Sequence, residues 1–132
     1  MEPLGAVPRC LLVPTTVLIV DDHPSFRATA RFLLEAEGFE VVGEAADGTS
    51  GIRAARDLHP ELVLLDVQLP DTDGFAVASA LTRNGSGPAV VLTSSRDGSD
   101  YGALVRASGA LGFVPKAELS GDALTSLLQT TR

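Results

Sequence analysis

The chain has 132 residues, about one domain's worth and enough to enclose a single sizeable core. Apolar residues make up 45% and charged residues 20%, the balance of an ordinary globular protein. Ten basic residues against 17 acidic ones give a net charge of −7 and no basic stripe, so direct nucleic-acid binding by this chain is not expected.

Residues 1–16 have the pattern of neither a signal peptide nor a membrane span: Glu2 comes early, and the short apolar run 10–13 is cut by Pro14. They are expected to form a poorly ordered leader before a domain spanning 17–132. Cys10, the one cysteine, has no partner for an internal disulfide; it suits a reducing, cytoplasmic setting and is taken as inert. The apolar run 17–20 follows and ends abruptly in Asp21-Asp22. Pro24 suits a first helical position, Phe26, Ala30, Leu33 and Leu34 share one side, and Gly38 is the stop. Val41-Val42 opens a second apolar run, and Ile52, Ala55 and Leu58 have helical spacing up to Pro60. A third run covers 62–65, followed by a helix over 74–81 with Val77 and Leu81 four apart. A fourth run covers 89–92, and Tyr101, Leu104 and Val105 mark a fourth helix. A short fifth run, 112–114, precedes Leu124, Leu127 and Leu128 on a fifth helix with Ser120 as its N-cap.

Continuous apolar runs of this length fit strands covered on both faces, which is how parallel sheets read in sequence. Strict alternation of strand and helix predicts an α/β domain, doubly wound, with five βα units and right-handed crossovers. Its ligand site should lie beyond the carboxyl ends of the strands. The residues at those ends form a set: Asp21 and Asp22 after the first strand, Asp66 after the third, Thr93 and Ser94 after the fourth, Lys116 after the fifth. Lys116 is also the only lysine beside nine arginines.

Carboxylates this close repel by roughly 4 kcal/mol per pair at 4 Å with an effective dielectric of 20. A hard divalent ion such as Mg²⁺ removes that conflict and prefers a few carboxylates together with waters and phosphate oxygens. An ionised Asp66 can attack phosphorus, while the ion and Lys116 neutralise charge and Thr93 donates to a phosphoryl oxygen.

Four blocks carry a resemblance: Val17-Leu18-Ile19-Val20-Asp21-Asp22-His23-Pro24, Leu64-Leu65-Asp66-Val67-Gln68-Leu69-Pro70-Asp71-Thr72-Asp73-Gly74, Leu92-Thr93-Ser94 and Gly112-Phe113-Val114-Pro115-Lys116. Together they resemble the signature of response-regulator receiver domains over about residues 17–130. The Asp-Asp-His-Pro start and the Pro-Lys-Ala-Glu-Leu-Ser end are similar to the LuxR/NarL-type branch, whose receivers precede a helix-turn-helix output domain. The resemblance implies a flavodoxin-like sheet in the order 2-1-3-4-5. It implies that Asp66 is the phosphoacceptor and that Asp21, Asp22, Asp66 and the backbone carbonyl of Gln68 hold Mg²⁺. Lys116 would pair with the phosphoryl oxygens, Thr93 would be the switch hydroxyl and Phe113 the switch aromatic. A sensor histidine kinase would supply the phosphoryl group, and the face made by helix four, strand five and helix five would carry homodimerisation or docking of an output domain. Tyr101, Leu104 and Val105 are expected on that face. The chain would be a signalling domain rather than a turnover enzyme, with neither nucleic acid nor membrane as a direct partner. Ala117 departs from the family pattern, since many receivers place proline after the lysine.

Simpler readings exist for single residues. Asp22 alone could cap the first helix, Asp66 alone could belong to a turn, and Phe113 is core as well as switch. His23 and His59 lack partners at metal-ligand spacing in the sequence and are taken as structural or surface residues. Rival functions are a haloacid-dehalogenase-like phosphatase, for which Asp66-Val67-Gln68 lacks the second carboxylate, and a stand-alone or pseudo-receiver interaction module without phosphotransfer. A flavodoxin-like cofactor binder would need a Ser/Thr/Gly-rich loop after the first strand, and none is there.

Overall fold

The computed structural model describes residues 14–83, 85–95 and 101–130. Most of the expected leader, with Cys10, lies outside the described residues. The chain alternates β1 (Thr16–Val20), α1 (Pro24–Ala36), β2 (Glu40–Ala45), α2 (Gly48–Leu58), β3 (Leu62–Asp66), α3 (Gly74–Thr82), β4 (Ala89–Ser94), α4 (Gly102–Ala107), β5 (Gly112–Pro115) and α5 (Gly121–Thr130). The five strands pair in parallel in the order β2-β1-β3-β4-β5, the arrangement expected from the sequence.

Side-chain alternation divides the core between the two faces of the sheet. Leu18, Val20, Val63, Leu65, Val90 and Leu92 point to one side, against Ala55 of α2, Val77 and Ala78 of α3 and Val105 of α4. Val17, Ile19, Leu62, Leu64 and Val91 point to the other, against Ala30 and Leu34 of α1 and Leu124 of α5. β1 and β3 are buried on both faces, which is why they read as unbroken apolar runs.

β2 is an edge strand, and it is longer than the two valines suggested. Its register slips beside Val17, and Gly43 and Glu44 continue it, so only part of the strand is apolar. Glu44 accepts hydrogen bonds from Arg31 Nε (2.7 Å) and Arg27 Nε (3.0 Å) on α1. The Arg31 bond, aided by Arg27, holds the Glu44 carboxyl below the usual range although partial burial opposes the shift. A depressed carboxylate stabilises the fold above its unfolded value and ceases to as pH falls through its folded value. Glu44→Gln should therefore lower stability at neutral pH by no more than about 1 kcal/mol, the size of a partly exposed ion pair. Urea midpoints of parent and variant should converge below about pH 4.

Local signals set the helix ends. Pro24 opens α1, and Gly38, at φ +95°, closes it with Gly38 N–H on Glu35 O (3.2 Å) and Phe39 N–H on Leu34 O (3.0 Å). Ser120 Oγ accepts from Ala123 N–H at 3.0 Å, the cap expected for α5. α2 begins four residues before Ile52 because Asp47 accepts from Ser50 N–H (2.8 Å). Asp71, from the loop after β3, reaches the same helix start and accepts from Gly48 N–H (2.8 Å) and Thr49 N–H (3.0 Å). The loop that follows Asp66 is thus tied to the amino end of α2.

Candidate functional site

In the order β2-β1-β3 the chain turns from one side of the sheet to the other, and the carboxyl ends of β1 and β3, where folds of this kind hold ligands, lie side by side there. Asp21 follows β1 directly and is fully buried. Its N–H donates to Ala45 O at 2.9 Å and its carbonyl accepts from Arg27 Nη1 at 2.6 Å, so both neighbouring elements fix its backbone. Asp66 closes β3 and lies opposite Thr93 of β4 in the sheet register. Gln68 N–H donates to Asp66 Oδ1 at 3.1 Å, which sets the rotamer of the carboxylate.

Lys116 follows β5 in a short 3₁₀ turn, Lys116–Glu118. Its Nζ lies 2.7 Å from Asp21 Oδ2 and 3.3 Å from Asp66 Oδ2, and 4.5 Å from the centre of the Phe26 ring on α1. The ammonium bonds to Asp66 Oδ2 and makes the closer ion pair with Asp21 Oδ2. Burial pushes Asp66 upward and the neighbouring Asp21 adds to the rise, against the pull of Gln68 N–H and Lys116. Burial also raises Asp21, but Lys116 and the His23 N–H outweigh it and hold that carboxyl below its ordinary value.

The expected residues therefore meet on one rim. Asp22 is exposed and does not cap α1: the N-cap position belongs to His23, and no side chain caps that helix. Thr93 is fully buried beside Asp66, and its hydroxyl has no hydrogen-bond partner among the described residues. Phe113 lies in β5 opposite Leu92, with its ring 5.6 Å from Tyr101, whose own ring is 5.6 Å from Phe75. Leu104 is exposed, but Val105 is turned into the core, which corrects the expectation that it lies on the outer face.

His23 is exposed, as expected of a surface residue, and its ring also borders the acidic cluster, a contact not read from the sequence: its Nδ1 is 2.9 Å from Asp21 Oδ1, 3.1 Å from Asp22 Oδ1 and 4.0 Å from Asp66 Oδ2. Pro24 disfavours helical backbone for the residue before it, and His23 is extended, at φ −98° and ψ 107°. The adjacent letters Asp-Asp-His-Pro held that signal. His59 fulfils its expectation: it is exposed and ends α2 in left-handed backbone, at φ 50°.

The backbone of the Asp66 loop is packed without slack. Gly74 N–H donates to Val67 O at 2.6 Å, and a β-carbon at Gly74 would run into the Asp66 carbonyl and come within 2.9 Å of Val67 Cα. Since backbone cannot swing aside, Gly74→Ala should lower stability by about 1–3 kcal/mol. It should also move the Asp66 amide resonance, which a spectrum of the variant checks.

A family profile described as "Response regulator receiver domain" matches residues 17–129. The chain belongs to that family. It is a receiver of two-component signal transduction, and its relatives are of the LuxR/NarL type. It is 42% identical over 102 residues to the virulence transcription regulator BvgA of Bordetella pertussis, covering 77% of this chain and 49% of BvgA. It is 43% identical over 105 residues to the nitrate/nitrite response regulator NarP of Escherichia coli, covering 78% of this chain and 48% of NarP. This receiver thus spans about half the length of the curated relatives it matches. Among solved structures, the signal receiver domain of NarL from Mycobacterium tuberculosis superposes with a TM-score of 0.76 at 32% identity, covering 89% of this chain and 95% of that one. Among the described residues of this receiver, no helix is long and apolar enough to cross a membrane.

Proposed function

We propose that this receiver accepts a phosphoryl group on Asp66, in a Mg²⁺-dependent reaction, from a phosphohistidine of a sensor kinase. The observation that carries the reading is a buried Asp66 flanked by the Lys116 ammonium and by the unpartnered Thr93 hydroxyl. A buried hydroxyl without a partner costs about 1–3 kcal/mol, so it persists where an acceptor arrives later. A phosphoryl oxygen on Asp66 is such an acceptor.

The donor set suits a hard divalent ion: Asp21, Asp22 and Asp66 offer carboxylate oxygens within one cluster, and the Gln68 carbonyl is the expected fourth ligand. When bound, Mg²⁺ supplies charge neutralisation for the carboxylates and the incoming phosphoryl oxygens. Asp66 Oδ attacks phosphorus, the bond from phosphorus to the donor nitrogen breaks, and the imidazole leaves with the electron pair. Lys116 holds phosphoryl charge, while Arg27 and the Ala45 carbonyl keep Asp21 in place. The signal then passes through Thr93 to Phe113 and Tyr101, and so to the face of α4, β5 and α5. That face would serve a second copy or an output domain, in a cytoplasmic regulator of transcription.

Acetyl phosphate with Mg²⁺ tests the phosphoacceptor directly. The parent should gain one phosphoryl group by intact mass, and chelation of the ion should stop it. Asp66→Ala should gain none; equal labelling of that variant would refute the assignment.

A further inference from the structure

We infer that Asp71 is a positioning residue for the phosphoacceptor site: by gripping the amino end of α2 it holds the loop 67–73 in the turn that carries the Gln68 carbonyl. The inference rests on the function proposed above and adds to it a residue outside the acidic cluster.

Two observations carry it. The first is the pattern of donors. Gly48 N–H (2.8 Å), Thr49 N–H (3.0 Å) and the Thr49 hydroxyl (2.9 Å) all donate to the Asp71 carboxylate, across 22 or 23 residues of chain. α2 already has a cap of its own in Asp47, which accepts from Ser50 N–H at 2.8 Å and from the Ser50 hydroxyl at 2.7 Å. Asp71 thus takes the two N–H groups that Asp47 leaves, and its negative charge suits the positive end of the helix. The second is the closeness of the loop to Gly48. A β-carbon there would collide with Thr72 Cγ2 and come within 3.3 Å of Asp71 Oδ1, so only bare backbone admits the loop.

From Asp71 the tie reaches the site in short steps. Leu69 N–H donates to Thr72 O at 3.1 Å, and Gln68 pairs with Asp73 in an antiparallel bridge, so residues 68–73 close into one turn. Gln68 N–H in turn donates to Asp66 Oδ1 at 3.1 Å. Leu69 packs one side of the turn against the core, whereas Pro70, Asp71 and Asp73 are exposed, so the other side depends on polar contacts. A turn freed from α2 must be ordered again each time an ion binds, and that cost shows as lost affinity.

Mg²⁺ titrations of the full chain, by calorimetry, test this in the parent, Asp71→Ala, Asp71→Asn and Asp47→Ala. Asp71→Ala should bind Mg²⁺ about tenfold more weakly, the lower end of what removing a group that orients a metal ligand costs. Asp47→Ala removes a cap from the same helix end without touching the loop, so it should bind the ion as the parent does. Asp71→Asn keeps an acceptor oxygen and loses only the charge, and it should recover most of the affinity. In the ion-free proteins, amide exchange at Gln68 and Leu69 should quicken in Asp71→Ala and not in Asp47→Ala. Equal losses in Asp71→Asn and Asp71→Ala would make the effect one of distant charge. Equal losses in Asp71→Ala and Asp47→Ala would make it one of helix stability. Either result overturns the inference, as does unchanged Mg²⁺ affinity in Asp71→Ala, and all three leave the Mg²⁺ site standing. A parent that binds no Mg²⁺ would remove the reading of the site and the inference with it.

Discussion

Lys116→Met should destabilise the metal-free protein by about 3–5 kcal/mol at neutral pH, the loss typical of breaking a buried ion pair from one side. The lysine side chain is 15% exposed, and the two carboxylates it serves, Asp21 and Asp66, are 1% and 5% exposed. Methionine keeps most of the stem and its packing, so the change isolates the charge. Without the ammonium, both carboxylates face one another in a poorly solvated site, and the affinity of each for a proton rises. A carboxyl with a raised folded value penalises the fold where it must ionise, above that value, and the penalty fades as pH falls below it. The deficit of the variant should therefore shrink between neutral and mildly acidic pH. Mg²⁺ at about ten times its dissociation constant should return about 1.4 kcal/mol by mass action. The affinity for Mg²⁺ should itself hold or rise, because a competing cation has gone. Urea unfolding with chelator and with Mg²⁺, at several pH values, reads all of these. An unchanged midpoint in chelator would mean that the lysine is irrelevant to the charge balance, and a large fall in Mg²⁺ affinity would mean that it organises the acidic cluster.

Thr93→Val should do the opposite to stability and still disable the switch. The threonine is fully buried and its hydroxyl is unpartnered among the described residues. Valine has nearly the same shape without the polar atom, so the fold should gain about 1–3 kcal/mol. Asp66 should still take up a phosphate mimic, because the attacking oxygen, the acidic pair and Lys116 are untouched. The conformational response should not spread. With beryllofluoride and Mg²⁺, the parent should show shifted resonances across residues 101–116 as well as near Asp22 and Asp66. The valine variant should confine them to the acidic rim. A variant that is no more stable, and whose perturbations still reach Tyr101 and Phe113, would show that the hydroxyl is neither strained nor part of the relay.

These two substitutions depend on positions that the sequence already placed at strand ends. The legibility has a physical origin: a strand covered on both faces must be apolar throughout, so the first polar residue marks where the sheet meets solvent. Asp21 after Val20 and Asp66 after Leu65 are readable for that reason. Lys116, as the lone lysine, stood out by rarity. Contacts between distant segments left weaker traces. Asp71 reads as a loop residue, and only the fold brings its carboxylate to Gly48 and Thr49. β2 was shortened in the reading because an edge strand need not be apolar past its covered half. Val105 was assigned to the outer face because two adjacent apolar residues, Leu104 and Val105, do not reveal which side of a six-residue helix is covered. The contact of His23 with the acidic cluster was passed over because a search for ligand spacing along the chain overlooks donors that a turn folds back onto their own neighbours.

The edge-to-face and tilted contacts among the rings of Phe75, Tyr101 and Phe113 have a practical consequence as well. The chain contains no tryptophan, and Tyr101 is its single tyrosine. Its tyrosine dichroism and emission therefore originate at one place, between two phenylalanines on the face proposed for output. Any rearrangement of that cluster changes the surroundings of the sole phenol. The protein thus carries a native optical probe on the face proposed for its output, and the proposed activation can be followed in real time with no label attached.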